Sequence, residues 1–245
     1  MPEQSSAAVV VGVGPARGLG ASLAKRFARE GLTVFIAGRT QPKLLTVADQ
    51  INASGGTAIP ITIDATQEAQ VRTLFETVET HGLIPELVTC TVDYNQKAPL
   101  LQTDCSTFKH LWQANCLAAF LVGKEAAKRM VKEERGTIIF TGASASLRAR
   151  PPFTAFACAK FALRALAQGM AKEFGPQGIH VAHVIIDGII NGERAHKQFP
   201  DLVRNKDDDA MLSLEAIADA YWYLHTQSPT AWTQELDLRP FKEAF

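Results

Sequence analysis

The sequence carries no excess of charge of either sign. Its 245 residues include 25 Lys and Arg and 25 Asp and Glu, so the formal net charge is zero. Proteins that bind nucleic acid or an anionic membrane surface usually carry a basic excess, and we therefore predict neither partner. No apolar run is long enough to span a bilayer, and the first residues do not form a signal-peptide pattern. These absences lead us to expect a cytoplasmic protein.

Cysteine is sparse, and its spacing suits neither a metal site nor a disulfide framework. Cys90, Cys105, Cys116 and Cys158 form no C-x-x-C pair and no His-paired zinc pattern. We expect reduced, mostly buried thiols and no metal site. Apolar residues, in contrast, make up 47% of the chain. This content suits a single α/β domain over residues 1–245 with a sizeable core.

The most informative stretch is residues 8–20. An apolar, β-branched run stops at glycines, and a helical pattern follows. A strand, a tight turn and a helix N-terminus together form an anion site, because backbone N–H groups point outward and the helix dipole favours negative charge. We expect Gly14 to turn the chain, Gly18 to admit a pyrophosphate and Gly20 to pack the helix on the strand. An ordinary strand-to-helix turn is the alternative.

Short apolar runs alternate with segments of helical periodicity along the whole chain. The later strands are predicted over 33–37, 57–63, 87–90, 137–141, 179–186 and 235–238, and the two longest helices over 108–131 and 154–174. This alternation predicts an α/β fold with a doubly wound, mainly parallel sheet in three layers, the Rossmann fold. Ligands of such sheets bind beyond the carboxyl ends of the strands.

One long stretch, residues 191–212, has no clear periodicity. It follows the sixth predicted strand and therefore starts at the edge where ligands bind. A loop there would cover the site as a lid and set the choice of substrate, or it would be a solvated surface excursion. The sequence leaves both interpretations open and names no substrate.

Several motifs, in order along residues 7 to about 191, resemble the short-chain dehydrogenase/reductase family. Residues 14–20 (GPARGLG) match its TGxxxGxG turn, and Phe156-Ala-Cys-Ala-Lys160 matches the spacing of its YxxxK motif. Asn115 lies where the family has its catalytic asparagine, and Asp64 lies where a strand-three aspartate binds adenine. Residues 186–189 match the loop after strand six. The resemblance implies hydride transfer between a nicotinamide cofactor and a small carbonyl or alcohol compound.

The resemblance implies a dinucleotide cofactor, and two arginines favour NADP(H) over NAD(H). In this family a carboxylate that closes strand two binds the ribose 2′-OH, whereas a basic residue binds a 2′-phosphate. This chain has Arg39 there and Arg17 in the glycine turn, and a guanidinium suits phosphate. Asp93 argues against binding of the anionic dinucleotide, since it adds volume and negative charge where the family has glycine. The implied cofactor contacts are Gly14, Ala16, Arg17, Gly18, Leu19, Arg39, Asp64, Ala65, Thr91, Lys160, Gly188 and Ile189.

The implied catalytic set is Asn115, Ser144, Phe156 and Lys160, and it departs from the family pattern twice. Phe156 replaces the tyrosine that gives or takes the proton, while Lys160 on the same helix face is retained. Ala143 occupies the usual serine position, with Ser144 one residue further on and Ser146 three. A positioned general acid typically raises the reaction rate about 10²–10⁴-fold, so the missing hydroxyl should lower the rate by about that factor unless another group transfers the proton.

Three residues are alternative proton donors, and each also has an ordinary structural interpretation. Tyr94 and Asp187 follow predicted strands at the correct edge, but a tyrosine there commonly packs at the surface and an aspartate commonly bonds nearby backbone. His183 lies within the sixth predicted strand, where a core histidine with satisfied hydrogen bonds is the common case. Two functional classes therefore stay open: an oxidoreductase, and a catalytically inactive NADP-binding module with a sensing or partner-binding role.

The two long predicted helices, 108–131 and 154–174, carry apolar residues around more than one face. A helix of this kind must bury a second face. The resemblance implies that these helices pack against a second subunit, which favours a homodimer or homotetramer. The alternative is that the helices simply lie deeper in the core.

Overall fold

A computed structural model describes residues 6–204 and 207–242. The strands are β1 Ser6–Val11, β2 Thr33–Gly38, β3 Thr57–Thr62, β4 Ile84–Cys90, β5 Gly136–Thr141, β6 Ile179–Ile186 and β7 Glu235–Leu238. They form one sheet in the order β3-β2-β1-β4-β5-β6-β7, and every neighbouring pair is parallel. The strands with near-continuous apolar runs, such as β1 and β6, are almost wholly buried, as expected of a sheet covered on both faces, whereas the edge strands β3 and β7 are partly exposed.

Helices cover both faces of the sheet and complete the predicted three layers. One face buries the apolar sides of the first, second and last helices, and the other buries the third, fifth and sixth. The fold prediction is therefore confirmed. The helices are α1 Leu19–Arg29, α2 Gln41–Ala53, α3 Glu68–Thr80, α4 Cys105–Trp112, α5 Ala118–Glu133, α6 Thr154–Phe174, α7 Glu193–Gln198, α8 Pro200–Arg204 and α9 Leu214–His225.

The strand order reverses between β1 and β4, because β2 and β3 lie on one side of β1 and the later strands on the other. In a parallel sheet the connections leave this point in opposite directions and open a crevice beyond the carboxyl ends of the strands. The fold thus positions the glycine turn after β1 and the loop after β4 on the two walls of one crevice.

The predicted helix over 108–131 lies within a helical segment that contains one feature the sequence did not indicate. A π-helical turn, Gln113–Leu117, joins α4 to α5. A π turn inserts one extra residue per turn, and such turns recur at functional sites. The apolar residues keep helical spacing in the sequence on both sides of it, which is why the sequence pattern did not reveal the π turn.

The stretch 191–212 is not irregular, since it contains α7, α8 and a 3₁₀ turn over Asp208–Ala210. Its ends are joined by a bridge between Ile190 and Leu212. Residues 205–206 of the stretch lie outside the described part of the chain. Within the described part, no helix is long and apolar enough to cross a bilayer.

The expectation of mostly buried thiols holds for only half of the cysteines. Cys90 and Cys116 are buried, whereas Cys105 and Cys158 are exposed, and all four are free. Burial raises the pKa of the Cys90 thiol to about 11, because the thiolate would lose its hydration at the end of β4. Cys90 is therefore a thiol at neutral pH and acts as a core residue.

Candidate active site

A cleft of about 680 Å³ opens at the carboxyl ends of the strands, in the crevice described above. Two of the predicted site residues do not line it: Ala16 borders a separate, smaller cavity, and Asn115 lies beneath the surface. The predicted residues that do line the cleft are Gly14, Arg17, Gly18, Leu19, Arg39, Asp64, Ala65, Thr91, Ser144, Phe156, Lys160, Gly188 and Ile189.

The glycine turn after β1 works differently from the prediction. The left-handed residue that turns the chain is Gly12, with φ +104°, and not Gly14. A Cβ on Gly12 would lie 2.6 Å from the Thr91 hydroxyl, whereas one on Gly14 would meet nothing within 4 Å. The Gly14 backbone therefore borders open space, whereas a Cβ on Gly20 would lie 3.0 Å from the Gly12 carbonyl, so the absence of a side chain at Gly20 lets α1 pack closely on the turn.

The end of the cleft beside the glycine turn and the start of α2, which we call the outer end, is basic. Arg17 and Arg39 line it as predicted, and Lys43 in the first turn of α2 adds a third cation that sequence reasoning missed. The sequence did offer a sign of Lys43, because it lies in the first turn of the helix that follows Arg39. The carboxylate here is Asp64, which accepts hydrogen bonds from the Thr66 amide and hydroxyl at 2.9 and 2.8 Å. Burial opposes its ionisation, but these bonds and Arg39 hold the pKa of Asp64 below its ordinary value.

The other end of the cleft, which we call the inner end, lies beside Phe156 and Asp93. Lys160 lies there and is only 1% exposed. Its Nζ donates to the Thr141 carbonyl at 3.1 Å and lies 5.5 Å from the centroid of the Phe156 ring. The two side chains thus share one face of α6, as their spacing predicted. A third contact was not predicted: Lys160 Nζ lies 3.2 Å from Asp93 Oδ1.

Asp93 joins two cations that are far apart in sequence. Its Oδ2 accepts from Arg194 Nη1 at 2.8 Å, while its Oδ1 faces Lys160. Burial alone would raise the pKa of the Asp93 carboxyl, but Lys160 and Arg194 outweigh that effect and the pKa lies below its ordinary value. Asp93 is therefore ionised at neutral pH, and its charge is balanced within the cleft instead of standing alone beside a ligand.

Asn115 sits in the π turn and bonds backbone of the preceding helical turn and of the loop after β4. Its Nδ2 donates to the carbonyls of Tyr94 and Leu111 at 2.8 and 2.9 Å, and its Oδ1 accepts from the Tyr94 amide at 3.4 Å. The side chain therefore fixes the loop after β4, which carries Asp93 into the cleft. It positions neighbouring groups and does not itself border the cleft.

The serines after β5 divide between the cleft and the core. Ser144 begins a 3₁₀ turn and lines the cleft, and its hydroxyl has no hydrogen-bond partner among the described residues. Ser146 is fully buried, where its Oγ accepts from the Ala143 amide at 3.2 Å and lies 3.4 Å from His183 Nε2. Of the two serines, only Ser144 is available to a ligand.

Of the three alternative proton donors, only Tyr94 lines the cleft. His183 is buried and bonded to Glu235 at 3.0 Å, and burial lowers its pKa, so it is a satisfied core histidine. Asp187 is buried against Arg148 and Arg239 and does not line the cleft. Tyr94 does line the cleft, with its Oη donating to Gln96 Oε1 at 2.8 Å.

The lining of the cleft is strongly basic although the chain as a whole is neutral. It includes five arginine and lysine side chains and two carboxylates. A low-dielectric cleft with an excess of one sign concentrates ligands of the other sign. The cations are Arg17, Arg39, Lys43, Lys160 and Arg194, and the carboxylates are Asp64 and Asp93.

The start of the 191–212 stretch borders the cleft. The Glu193 amide donates to the Arg17 carbonyl at 2.8 Å, and Arg194 reaches across to Asp93. Gly192, Arg194 and Phe199 all line the cleft. These contacts join the stretch to both walls, and its movement as a lid stays a prediction.

Comparison with known proteins identifies the family of this chain. A family model described as short chain dehydrogenase matches residues 7–202. A short-chain dehydrogenase from Rhodopseudomonas palustris is 38% identical, with a TM-score of 0.81 over 98% of this chain and 100% of that chain. A short-chain dehydrogenase/reductase from Armillaria gallica is 31% identical over 183 residues, 73% of this chain and 69% of its own.

A more distant structure is similar in fold. It is a gluconate 5-dehydrogenase from Burkholderia cenocepacia in complex with NADP and tartrate, 22% identical with a TM-score of 0.85. The similarity covers 97% of this chain and 95% of that one.

Proposed function

The chain belongs to the short-chain dehydrogenase family, and on that premise we propose that it is an NADP(H)-dependent oxidoreductase acting on a small carbonyl or alcohol compound. The observation that carries this proposal is the basic outer end of the cleft. Arg17, Arg39 and Lys43 border it, and no carboxylate closes β2, where one would bind the 2′-OH of NAD. The distant relative solved with NADP is consistent with this choice.

The residues of the cleft fit a dinucleotide from end to end. The open backbone at Gly14 and the N-terminus of α1 suit a pyrophosphate. Arg17, Arg39 and Lys43 would hold the 2′-phosphate, and Lys160 would hold the ribose hydroxyls near the nicotinamide. The bound cofactor would supply or accept a hydride.

The proton has to be handled differently from the family pattern, because Phe156 carries no exchangeable proton. Ser144 is the hydroxyl nearest in sequence to the usual serine position, and it faces the cleft unpaired among the described residues. We infer that Ser144 orients the substrate oxygen and that the proton comes through water or through the Tyr94 hydroxyl. Asn115 contributes by fixing the loop that carries Tyr94 and Asp93.

A second candidate function is a catalytically inactive module that binds NADP(H) for sensing or partner binding. The observation in its favour is the contact between Lys160 and Asp93 at 3.2 Å, which occupies the amine that would otherwise hold the ribose. Together with Phe156, this contact leaves two of the family's usual catalytic groups altered or engaged. Both candidates require the cofactor, so cofactor binding is the first test.

We would titrate the protein with NADPH and with NADH by calorimetry. We expect NADPH to bind more tightly, because hydrogen bonds to charged groups contribute about 1.5–3 kcal/mol each. Arg39→Ala should weaken NADPH binding about 10- to 100-fold and leave NADH binding almost unchanged. Arg72→Ala is the matched control, since Arg72 is an exposed arginine of α3 outside the cleft.

The titration separates the outcomes clearly. Equal affinity for the two cofactors would overturn the preference for NADP(H), and binding of neither would overturn both candidate functions. If NADPH binds, carbonyl reduction across a panel of small substrates decides between the oxidoreductase and the inactive module.

A further inference from the structure

Arg194 is a fixed cation at the inner end of the cleft. It comes from α7, 101 residues away from Asp93 in sequence. Two of its donors are already used: Nε donates to Gln198 Oε1 at 3.1 Å and Nη1 to Asp93 at 2.8 Å. Its Nη2 has no partner among the described residues, and the side chain is 46% exposed. The guanidinium is therefore held in place with one donor group left for a ligand.

The charge around Arg194 is not balanced by its partner. Asp93 is shared with Lys160, so two cations face one ionised carboxylate at the inner end of the cleft. Asp64, the other carboxylate of the lining, belongs to the outer end with Arg39. One positive charge thus remains uncompensated in the cleft that Phe156, Lys160 and Arg194 line, where the substrate would lie. A partly desolvated excess charge of this kind favours an anionic ligand group.

The chemistry of the guanidinium narrows the ligand group. The free Nη2 group can donate charge-assisted hydrogen bonds to a carboxylate, and a guanidinium fixed in advance loses little side-chain entropy on binding. Phe156 also lacks the hydroxyl with which the family's usual tyrosine would hold a substrate oxygen. A carboxylate bound by Arg194 would supply positioning that the altered catalytic set does not.

We propose that Arg194 recognises a carboxylate on the substrate, so that the substrate class is a small carboxylic acid bearing a carbonyl or alcohol group. This inference rests on the proposed function, since it identifies the substrate of the same cleft. Asp93 and Gln198 act as positioning residues that hold the guanidinium. Phe199, which also lines the cleft, would contact the apolar part of such a molecule.

The test compares two ligands of nearly equal size that differ in charge, 2-oxobutanoate and 2-oxobutanamide. Binding is measured by calorimetry with and without saturating NADPH, and KM and kcat are measured where turnover occurs. The wild-type protein should prefer the acid. Arg194→Gln should weaken binding of the acid about 10- to 100-fold and raise its KM, with little effect on the amide. Arg194→Lys should recover part of the loss.

Two further variants distinguish binding of the carboxylate by Arg194 from a purely structural role in which Arg194 only holds α7 in place. Lys197→Gln is the matched control, because Lys197 lies on the same helix, 73% exposed and paired with Glu193. Asp93→Asn keeps an acceptor for Arg194 but removes the negative charge, so it should tighten binding of the acid. If Asp93→Asn and Arg194→Gln weaken both ligands alike, the contact only holds the helix and the proposal is overturned.

The outcome is separable from that of the proposed function. Equal binding of the acid and the amide by the wild-type protein overturns the carboxylate assignment even where NADPH binds. A preference for the acid that Arg194→Gln abolishes supports it, whether or not turnover is seen, because binding is measured directly.

Discussion

Phe156→Tyr is expected to raise the rate of carbonyl reduction. The ring of Phe156 is 5% exposed, borders the cleft and lies 5.5 Å from Lys160 Nζ. Tyrosine keeps the same ring and adds one oxygen at a residue that already lines open space, so the core does not have to repack. The new hydroxyl would be a proton donor beside a cation, which is the arrangement that the family pattern implies.

The size of the gain follows from what a positioned acid supplies. General acid catalysis contributes about 10²–10⁴-fold, which corresponds to roughly 3–5 kcal/mol in the activation free energy. Lys160 is held 3.2 Å from Asp93, and this contact competes with any interaction between the amine and a new hydroxyl. We therefore expect about 10²-fold for the single variant and a larger gain when Asp93→Gly is combined with it.

The assay follows NADPH consumption over a panel of charged and neutral carbonyl compounds. Phe153→Tyr is the matched control, since Phe153 packs in the same apolar cluster but does not line the cleft. The gain should disappear as pH rises through the pKa of the new phenol, because only the protonated form donates. No gain in either the single or the double variant, with NADPH binding intact, would refute the idea that the hydroxyl is what the site lacks.

Two further predictions concern stability and assembly. Gly38→Ala should lower the free energy of unfolding by about 1–3 kcal/mol and the melting temperature by roughly 2–12 °C, because the new Cβ would overlap the Val13 carbonyl. Gly14→Ala, with nothing near its Cβ, should melt like the wild type. Equal melting of the two variants and the wild type would contradict the packing argument. We also expect a homodimer or homotetramer through α4, α5 and α6, whose exposed side chains include Phe161 at 43%. Phe161→Glu should give monomers in sedimentation experiments while Tyr223→Glu on α9 does not, and a monomeric wild type would contradict this prediction.

Local patterns were enough to predict the fold. The bounds of α6, Thr154–Phe174, and of β6, Ile179–Ile186, agree with the sequence prediction. The helix pattern stops at Gly175-Pro176, and the strand is a continuous apolar run, so both signals are contained within the element itself. Alternation of such elements then left few topologies, since parallel connections are right-handed.

The same local reasoning failed where a residue's conformation depends on packing. Both Gly12 and Gly14 were able to turn the chain, and only the close approach of Thr91 shows that Gly12 does so. The apolar residues on both sides of the π turn around Asn115 keep helical spacing in the sequence, so the turn left no trace in the pattern.

By itself the sequence determined the family, the order of the elements and the departure at Phe156, because these are properties of local residue order. Only the tertiary structure decided the electrostatics of the cleft. Asp93, Lys160 and Arg194 lie on three separate elements, and their charges meet because parallel strands end at one edge of the sheet. A chain of zero net charge thus carries a basic cleft, since electrostatic energy depends on the distances between charges and not on their number.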